Sequence, residues 1–304
     1  MAKIAYIDKR FNDEHLAIIT AANKILTSLK AQGYDITLRQ LYYQFVSKDL
    51  IANNQREYKR LGGIINDARL AGLVDWDHIV DRTREVRGVS HWTDPAQIVA
   101  TCAKQFRIDK WTSQPWRVEV WIEKDALVGV VERVCRELDV SYFSCRGYVS
   151  QSEIHEAAKD RLIPFERAGQ QTLLLHLGDH DPSGIDMSRD IRDRLELFGS
   201  GVVVQRIALN RNQVDQYEPP PNPAKLTDSR ATDYIAKHGD ESWELDALEP
   251  QVINDLIRKN VMDVRDEDAW TEAVEKERKM RNQLQAVSDT WEDIIDTLPP
   301  DDGT

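Results

Sequence analysis

The chain has 304 residues, 41% of them hydrophobic and 8% aromatic, which is enough for two cored domains and excludes wholesale disorder. No apolar run approaches the roughly 20 residues that a bilayer span requires, so no membrane partner is expected. The 40 Lys and Arg stand against 52 Asp and Glu, a net charge of −12 that by itself speaks against a phosphate-rich partner.

The distribution of charge points the other way. Residues 1–110 hold 17 Lys and Arg against 13 Asp and Glu, whereas residues 239–304 hold 7 against 19. The acidity belongs to the C-terminal end, where its simplest meaning is a solvated surface. The opening stretch MAKIAYIDKRFNDEHL has no long apolar core and carries acids early, unlike a signal or transit peptide. Cys102, Cys135 and Cys145 are odd in number and at no metal-like spacing, so they read as reduced, small hydrophobes of a cytoplasmic protein.

In chain order, residues 14–33 repeat apolar side chains at helical spacing and stop at Gly33. Thr37 and Gln40 form a capping-box pattern, with Ile36 and Leu41 as a hydrophobic staple, so a second helix begins at residue 38. A third helix is expected over about 54–71, carrying Arg56, Lys59, Arg60 and Arg69 as candidate DNA contacts. LVDWDHIVDRTREVRG, with Arg82, Arg84 and Arg87, has the short apolar runs of a β-wing. Three short helices and a basic ribbon read as a winged helix-turn-helix.

A helical connector at about 94–106 precedes strands alternating with helices. WRVEVWI (116–122), VSYFSCR (140–146), QTLLLHL (171–177) and GVVVQRIAL (201–209) read as strands, with helices near 125–138, 151–168 and 183–198. That pattern implies a parallel sheet covered on both faces. EPPPNPAK (218–225) excludes regular structure and reads as a linker. Leu284, Val287, Trp291, Ile294 and Leu298 then form the stripe of an amphipathic helix.

Glu123 closes the first of these strands, in WIEKDAL, and Asp179 and Asp181 follow the third, in LGDHDPSG. Functional groups of open α/β sheets gather at the carboxyl ends of strands. Residues two apart in extended chain point the same way, so the aspartates can share a ligand. Three hard oxygen donors without cysteine suit Mg²⁺ or Mn²⁺. His176 and His180 match H-x-x-x-H, but the intervening glycine and following proline forbid the helix that a zinc pair would need.

WIEKDAL followed by LGDHDPSGIDM resembles a TOPRIM domain, the metal-binding module of topoisomerases, primases and some nucleases. ITLRQLYY (36–43) is similar to the active-site segment of the topoisomerase VI A subunit and its meiotic double-strand-break relatives, and GYVSQSEI (147–154) and WELDALEP (243–250) are similar to the same pattern. The resemblance covers most of residues 35–258. It implies a winged-helix DNA-binding domain at 1–110, a Rossmann-like TOPRIM domain at 111–217 and a linker with an acidic helical extension at 218–304.

On a helical wheel Leu38, Leu41, Tyr42 and Phe45 share one face, making Tyr42 a core residue, while Arg39 and Tyr43 lie together roughly 100–150° around the helix. The resemblance makes Tyr43 the nucleophile on a DNA phosphodiester, giving a 5′-phosphotyrosyl link. A phenol is only about 0.1% ionised at pH 7, so losing its proton costs about 4 kcal/mol, a barrier that a cation such as Arg39 would lower. The acids would hold the metal that stabilises the leaving 3′ oxygen, and Lys124 would hold a phosphate. Cutting both strands needs two tyrosines, hence a homodimer, and the family implies that one subunit's tyrosine works with the other's metal site. No Gly-rich nucleotide motif is evident, so either a separate ATPase subunit exists or this is a self-sufficient "Mini-A" type. Two other readings stay open: a metal-dependent nuclease of the plasmid-defence type, in which water attacks, and a DNA-binding module without catalysis.

Overall fold

In a computed structural model of the chain, residues 3–80, 89, 91–224 and 227–297 are described. They form two compact units, one drawn from Met1–Arg84 and Trp116–Val264, the other from Glu85–Pro115 and Arg265–Thr304. Among the described residues no helix is long and apolar enough to cross a membrane.

The larger unit begins with three helices, α1 (Asp13–Ala31), α2 (Leu38–Ser47) and α3 (Gln55–Leu70). The capping box sets the start of α2 as its spacing predicts. The Gln40 amide donates to Thr37 Oγ1 at 3.3 Å, and the Thr37 amide donates to Gln40 Oε1 at 2.8 Å. Leu26, Leu41, Phe45, Leu61 and Ile65 close a core between the three helices. Beyond α3 the chain makes a short 3₁₀ turn, Trp76–His78, and single bridges pair Ile36 with Ile79 and Ala5 with Ala71. The described half of the expected wing, 73–80, is this turn and the Ile79 bridge and holds no strand, while the other half, 81–88, with Arg82, Arg84 and Arg87, lies outside the described residues.

The smaller unit contributes α4 (Pro95–Gln105), which packs along the long helix Glu267–Asp289. Lys110 and Arg281 flank the buried Glu277 at 2.8 and 2.7 Å, and Trp111 meets Trp270 edge-on. The C-terminal amphipathic stripe is divided: the long helix ends at Asp289, and a short helix Trp291–Ile295 follows Thr290. Leu298 lies outside the described residues.

The α/β part of the larger unit is a four-stranded parallel sheet of β1 (Trp116–Ile122), β2 (Ser141–Ser144), β3 (Gln171–Leu177) and β4 (Val203–Ala208) in the order β2-β1-β3-β4. This is a Rossmann-like α/β arrangement. Alternation leaves Val118, Val120, Leu173 and Leu175 on one face, where α5 (Val128–Leu138) packs with a later helix, Pro250–Met262. The helix expected at 151–168 runs as α6 (Gln151–Glu156), a π-helical turn Ala157–Leu162 and α7 (Ile163–Arg167). Pro164 has no amide proton for the Asp160 carbonyl, which accounts for the widened turn just before it. On the other face Trp121 and Leu174 pack with Ile154 and Leu162, and with Ile191 and Leu195 of α8 (Pro182–Leu197). The proline-rich stretch is not wholly irregular: Asn222–Pro223 pairs antiparallel with Glu241–Ser242, a two-residue ladder short enough to need no donor from Pro223.

Strand order reverses between β1 and β3, because β2 lies on one side of β1 and β3 and β4 on the other. Such a switch point opens a crevice at the strands' carboxyl ends. It lies where Glu123, Asp179 and Asp181 follow their strands.

Glu166 links the helical layer to the sheet, accepting from Thr172 Oγ1 and Ser200 Oγ at 2.7 Å each and from the Gly201 amide at 3.1 Å. Burial alone would raise its pKa, but these three donors outweigh burial and hold it below the ordinary glutamate value. The stability it contributes is therefore present above the unfolded-state pKa and lost as pH falls through the folded one. Replacing Glu166 by Gln should lower stability at pH 7 and flatten the acid limb below about pH 4.5, measured by urea unfolding across pH. An unchanged acid limb would mean that the cluster does not discriminate the charged carboxylate.

Candidate functional site

Each acid at the switch point is fixed by backbone. Glu123 Oε2 accepts the Asp179 amide at 2.8 Å, Asp179 Oδ1 accepts the Leu245 amide at 2.8 Å, and Asp181 Oδ1 caps α8 through the Gly184 amide at 2.6 Å. Two glycines permit this closeness. A Cβ on Gly178 would stand 2.9 Å from Glu123 Oε2, and one on Gly184 would stand 2.3 Å from the Asp179 carbonyl oxygen. Beneath the loop Arg206 donates to the carbonyls of Gly178, Asp179 and Gly184 at 2.6–2.8 Å.

Burial raises the Glu123 carboxyl above its ordinary range, and the Asp181 charge adds to that. Asp179 is also pushed up by burial, with Glu123 and Asp246 repelling its charge and Lys124 opposing them. The two i, i+2 aspartates take different roles, however. Asp179 reaches toward Lys124 and Leu245, whereas Asp181 caps a helix. Among the described residues, no three His, Cys, Asp or Glu side chains form a group that could hold a metal. The donors still suit a hard cation, since Mg²⁺ is commonly held by one or two carboxylates with water and substrate phosphate. Crowded carboxylates shielded from water are what such a charge would relieve.

Tyr43 does not stand on an exposed face. It is 4% exposed and Tyr42 5%, because the segment around the 3₁₀ turn Leu245–Ala247 covers that side of α2. Tyr42 donates to Asn53 Oδ1 at 2.9 Å, as a satisfied core tyrosine does. Tyr43 donates to Glu244 Oε2 at 2.6 Å. The same oxygen receives Arg39 at 2.6 Å and Lys124 at 2.7 Å. Asp246, whose side chain is fully buried, pairs with Lys124 at 2.9 Å and with Arg39 at 3.0 Å. Lys124 completes the chain with Asp179 at 3.0 Å.

Arg39, Tyr43, Lys124 and Asp179 thus share one network, joined by Glu244 and Asp246. Those two acids lie within WELDALEP, where the sequence alone gives neither a role. The electrostatics also differ from expectation. Burial, then the Asp246 and Glu244 carboxylates, push the Tyr43 phenol up, and Arg39, 3.5 Å from its oxygen, only partly opposes them. Burial opposes charge on Lys124 as well, yet Asp246, Asp179 and Glu244 hold its pKa above the ordinary value. For Glu244 burial is likewise outweighed, here by Lys124, the Tyr43 hydroxyl and Arg39, which keep it well below the usual carboxylate range.

Of the other predicted DNA contacts, Arg56 and Lys59 are exposed on α3. Arg60 pairs with Glu57 and Glu14, and Arg69 donates to the carbonyls of Trp76 and Ile79 while covering the Trp76 ring. Both are occupied within the fold. His176 meets Ser188 Oγ at 2.7 Å and His180 meets the Leu209 carbonyl at 3.1 Å, and burial lowers the pKa of each, to about 3 and about 4.

Removing one member of a buried ionic network strands the others. Asp246→Ala should cost about 3–5 kcal/mol in urea unfolding, whereas Glu249→Ala, at the half-exposed pair with Lys48, should cost under about 1 kcal/mol. Equal losses would contradict the network's importance to the fold. Comparison with protein-family models gives no match, and comparison with curated proteins gives none either.

Proposed function

We propose that the chain cleaves and rejoins DNA through Tyr43, in the manner of the topoisomerase VI A subunit that its motifs resemble. The observation that carries the reading is the continuous path from the Tyr43 hydroxyl through Glu244 and Lys124 to Asp179 at the sheet's switch point. The Tyr43 oxygen has a carboxylate at 2.6 Å and a guanidinium at 3.5 Å, the base and the cation that a phenol attacking a phosphate needs. On this reading α1–α3 are a winged helix-turn-helix that presents Arg56 and Lys59 to duplex DNA, and the four-stranded sheet is a TOPRIM domain.

The resting network is closed. Arg39 and Lys124 neutralise Glu244, so it is a weak base, and Tyr43 keeps its proton. Arrival of a phosphodiester draws the two cations toward its oxygens. Glu244 then gains proton affinity, and it already accepts the Tyr43 hydroxyl at 2.6 Å. As the Tyr43 Oη–P bond forms, the proton passes to Glu244, and Arg39 faces the charge building on phosphorus. The P–O3′ bond breaks, its electron pair goes to the 3′ oxygen, which takes a proton from water and leaves as the 3′ hydroxyl, and the 5′ phosphate stays on Tyr43. Glu123 and Asp179 would hold a Mg²⁺ or Mn²⁺ ion, which supplies stabilisation of the leaving 3′ oxygen. Reversal reseals the strand without a nucleotide, because the phosphotyrosyl link conserves the bond energy. Cleavage of both strands calls for a homodimer, and driven strand passage for a separate ATPase subunit.

A second reading, a metal-dependent nuclease in which water attacks, draws on the burial of Tyr43 and the raised pKa of its hydroxyl. End-labelled duplex DNA with Mg²⁺ separates the two. Under the proposal, label becomes attached to protein through denaturation, Tyr43→Phe abolishes attachment and cleavage together, and Asp179→Ala removes cleavage while leaving most DNA affinity at fixed salt. Free 5′-phosphate ends that persist in Tyr43→Phe would establish the nuclease instead.

A further inference from the structure

Beside the Tyr43 hydroxyl lies a cavity of about 310 Å³, at the small end of ligand pockets. Its walls divide sharply by chemistry. Tyr42, Tyr43 and Tyr58 form an aromatic cluster, with ring centroids 5.2 Å apart for Tyr42–Tyr43 and 5.3 Å for Tyr42–Tyr58. The carboxamides of Asn53, Gln55 and Asn222 supply its polar lining. Its lining charges are Arg39 and Glu244, the pair that meets the tyrosine oxygen.

Two of these carboxamides, Asn53 and Asn222, are held in place. Asn53 Oδ1 accepts the Tyr42 hydroxyl at 2.9 Å, and Asn53 Nδ2 donates to Asn222 Oδ1 at 2.8 Å. That bond fixes the Asn222 amide and leaves its Nδ2 with no partner among the described residues, as is also true of the Gln55 side chain and the Tyr58 hydroxyl. A pocket for a bare phosphate would be lined by cations and amide protons. One for an aliphatic group would lack the carboxamides. An aromatic face set among edge-on rings, with groups that both donate and accept beside it, suits a planar heterocycle bearing donors and acceptors on its edge.

We propose that this cavity receives a single nucleobase, unstacked from the nucleotide whose phosphate lies at Tyr43. The base stacks on the face of Tyr58, with the Tyr42 ring, turned 76° from it, against its rim, and is met at its edge by Asn222 and Gln55, while Arg39 takes the adjoining phosphate. The inference deepens the proposed function and rests on its assignment of DNA as the substrate. It makes the enzyme selective for sites where a base is already loose, since a mismatched or single-stranded base costs less to extrude.

The test is an anisotropy titration in EDTA at fixed salt, with the full chain and a labelled single-stranded heptanucleotide or its fully abasic counterpart. The two strands carry the same phosphates and differ only in bases. The base-bearing strand should bind about tenfold or more tightly. Tyr58→Ala and Asn222→Ala should each remove most of that preference and Tyr58→Phe should keep it, with circular dichroism confirming the fold. Gln55→Ala, at an exposed position, should reduce the preference several-fold without a folding effect. Equal binding of the two strands, or a preference that survives Tyr58→Ala and Asn222→Ala, overturns the pocket. Duplex DNA titrated in parallel separates this failure from that of the function. Duplex binding without base preference sinks the pocket alone, whereas base-dependent binding by a chain that never cuts DNA sinks the proposed function and leaves the pocket standing.

Discussion

Three donors meet on one oxygen of Glu244: the Tyr43 hydroxyl, the Arg39 guanidinium and the Lys124 ammonium. Remove that carboxylate and two cations lose a shared charge partner and the tyrosine loses its acceptor. The arrangement needs Asp246 beside it. Two cations on a single acid would leave excess positive charge in a place largely shielded from water, and the fully buried Asp246 takes the second share from both. The fold supplies this pair by turning the segment after Trp243 back over α2, anchored by a mutual backbone bridge between Trp243 and His180.

That turn also links the two halves of the larger unit. Ala247 joins the core of the three helices, and the Leu245 amide holds Asp179 at the sheet. A single short segment therefore positions the tyrosine and one of the switch-point acids together. Within one chain the network spans both, so the sharing between subunits that the resemblance implies would require the Glu244 contacts to open. The high cost of ionising Tyr43 in this closed state is consistent with a nucleophile kept inert until a phosphate competes for its cations.

The central strand of the α/β part is legible in the sequence because QTLLLHL is a nearly unbroken apolar run between Gly169 and Gly178. Burial on both faces writes itself into sequence as continuous Val, Leu and Ile. The capping box at Thr37 is legible for a different reason, being a local bond pattern complete within four residues. Glu123 and the D-x-D pair can be found as acids at strand ends. What stays hidden is long-range. Tyr43 and Glu244 are 201 residues apart, and no periodicity in α2 says which distant segment will cover it. A wheel that gives one buried face to a helix assumes that only one neighbour packs against it. Here Gln40 through Val46 are all buried, so the helix has neighbours all round. Arg206 escapes in the same way, although an arginine inside the apolar run VVVQRIAL is a signal that something in the fold must use it.

If the proposed chemistry holds, Tyr43, and not its neighbour, becomes joined to DNA. Peptide mapping by mass spectrometry of denatured, nuclease-trimmed reaction mixtures tests this directly, since Tyr42 and Tyr43 share one tryptic peptide and fragmentation between them assigns the adduct. The expected result is a phosphonucleotide on Tyr43 in Mg²⁺-treated samples. An adduct on Tyr42, or cleaved DNA with neither tyrosine modified, would contradict it.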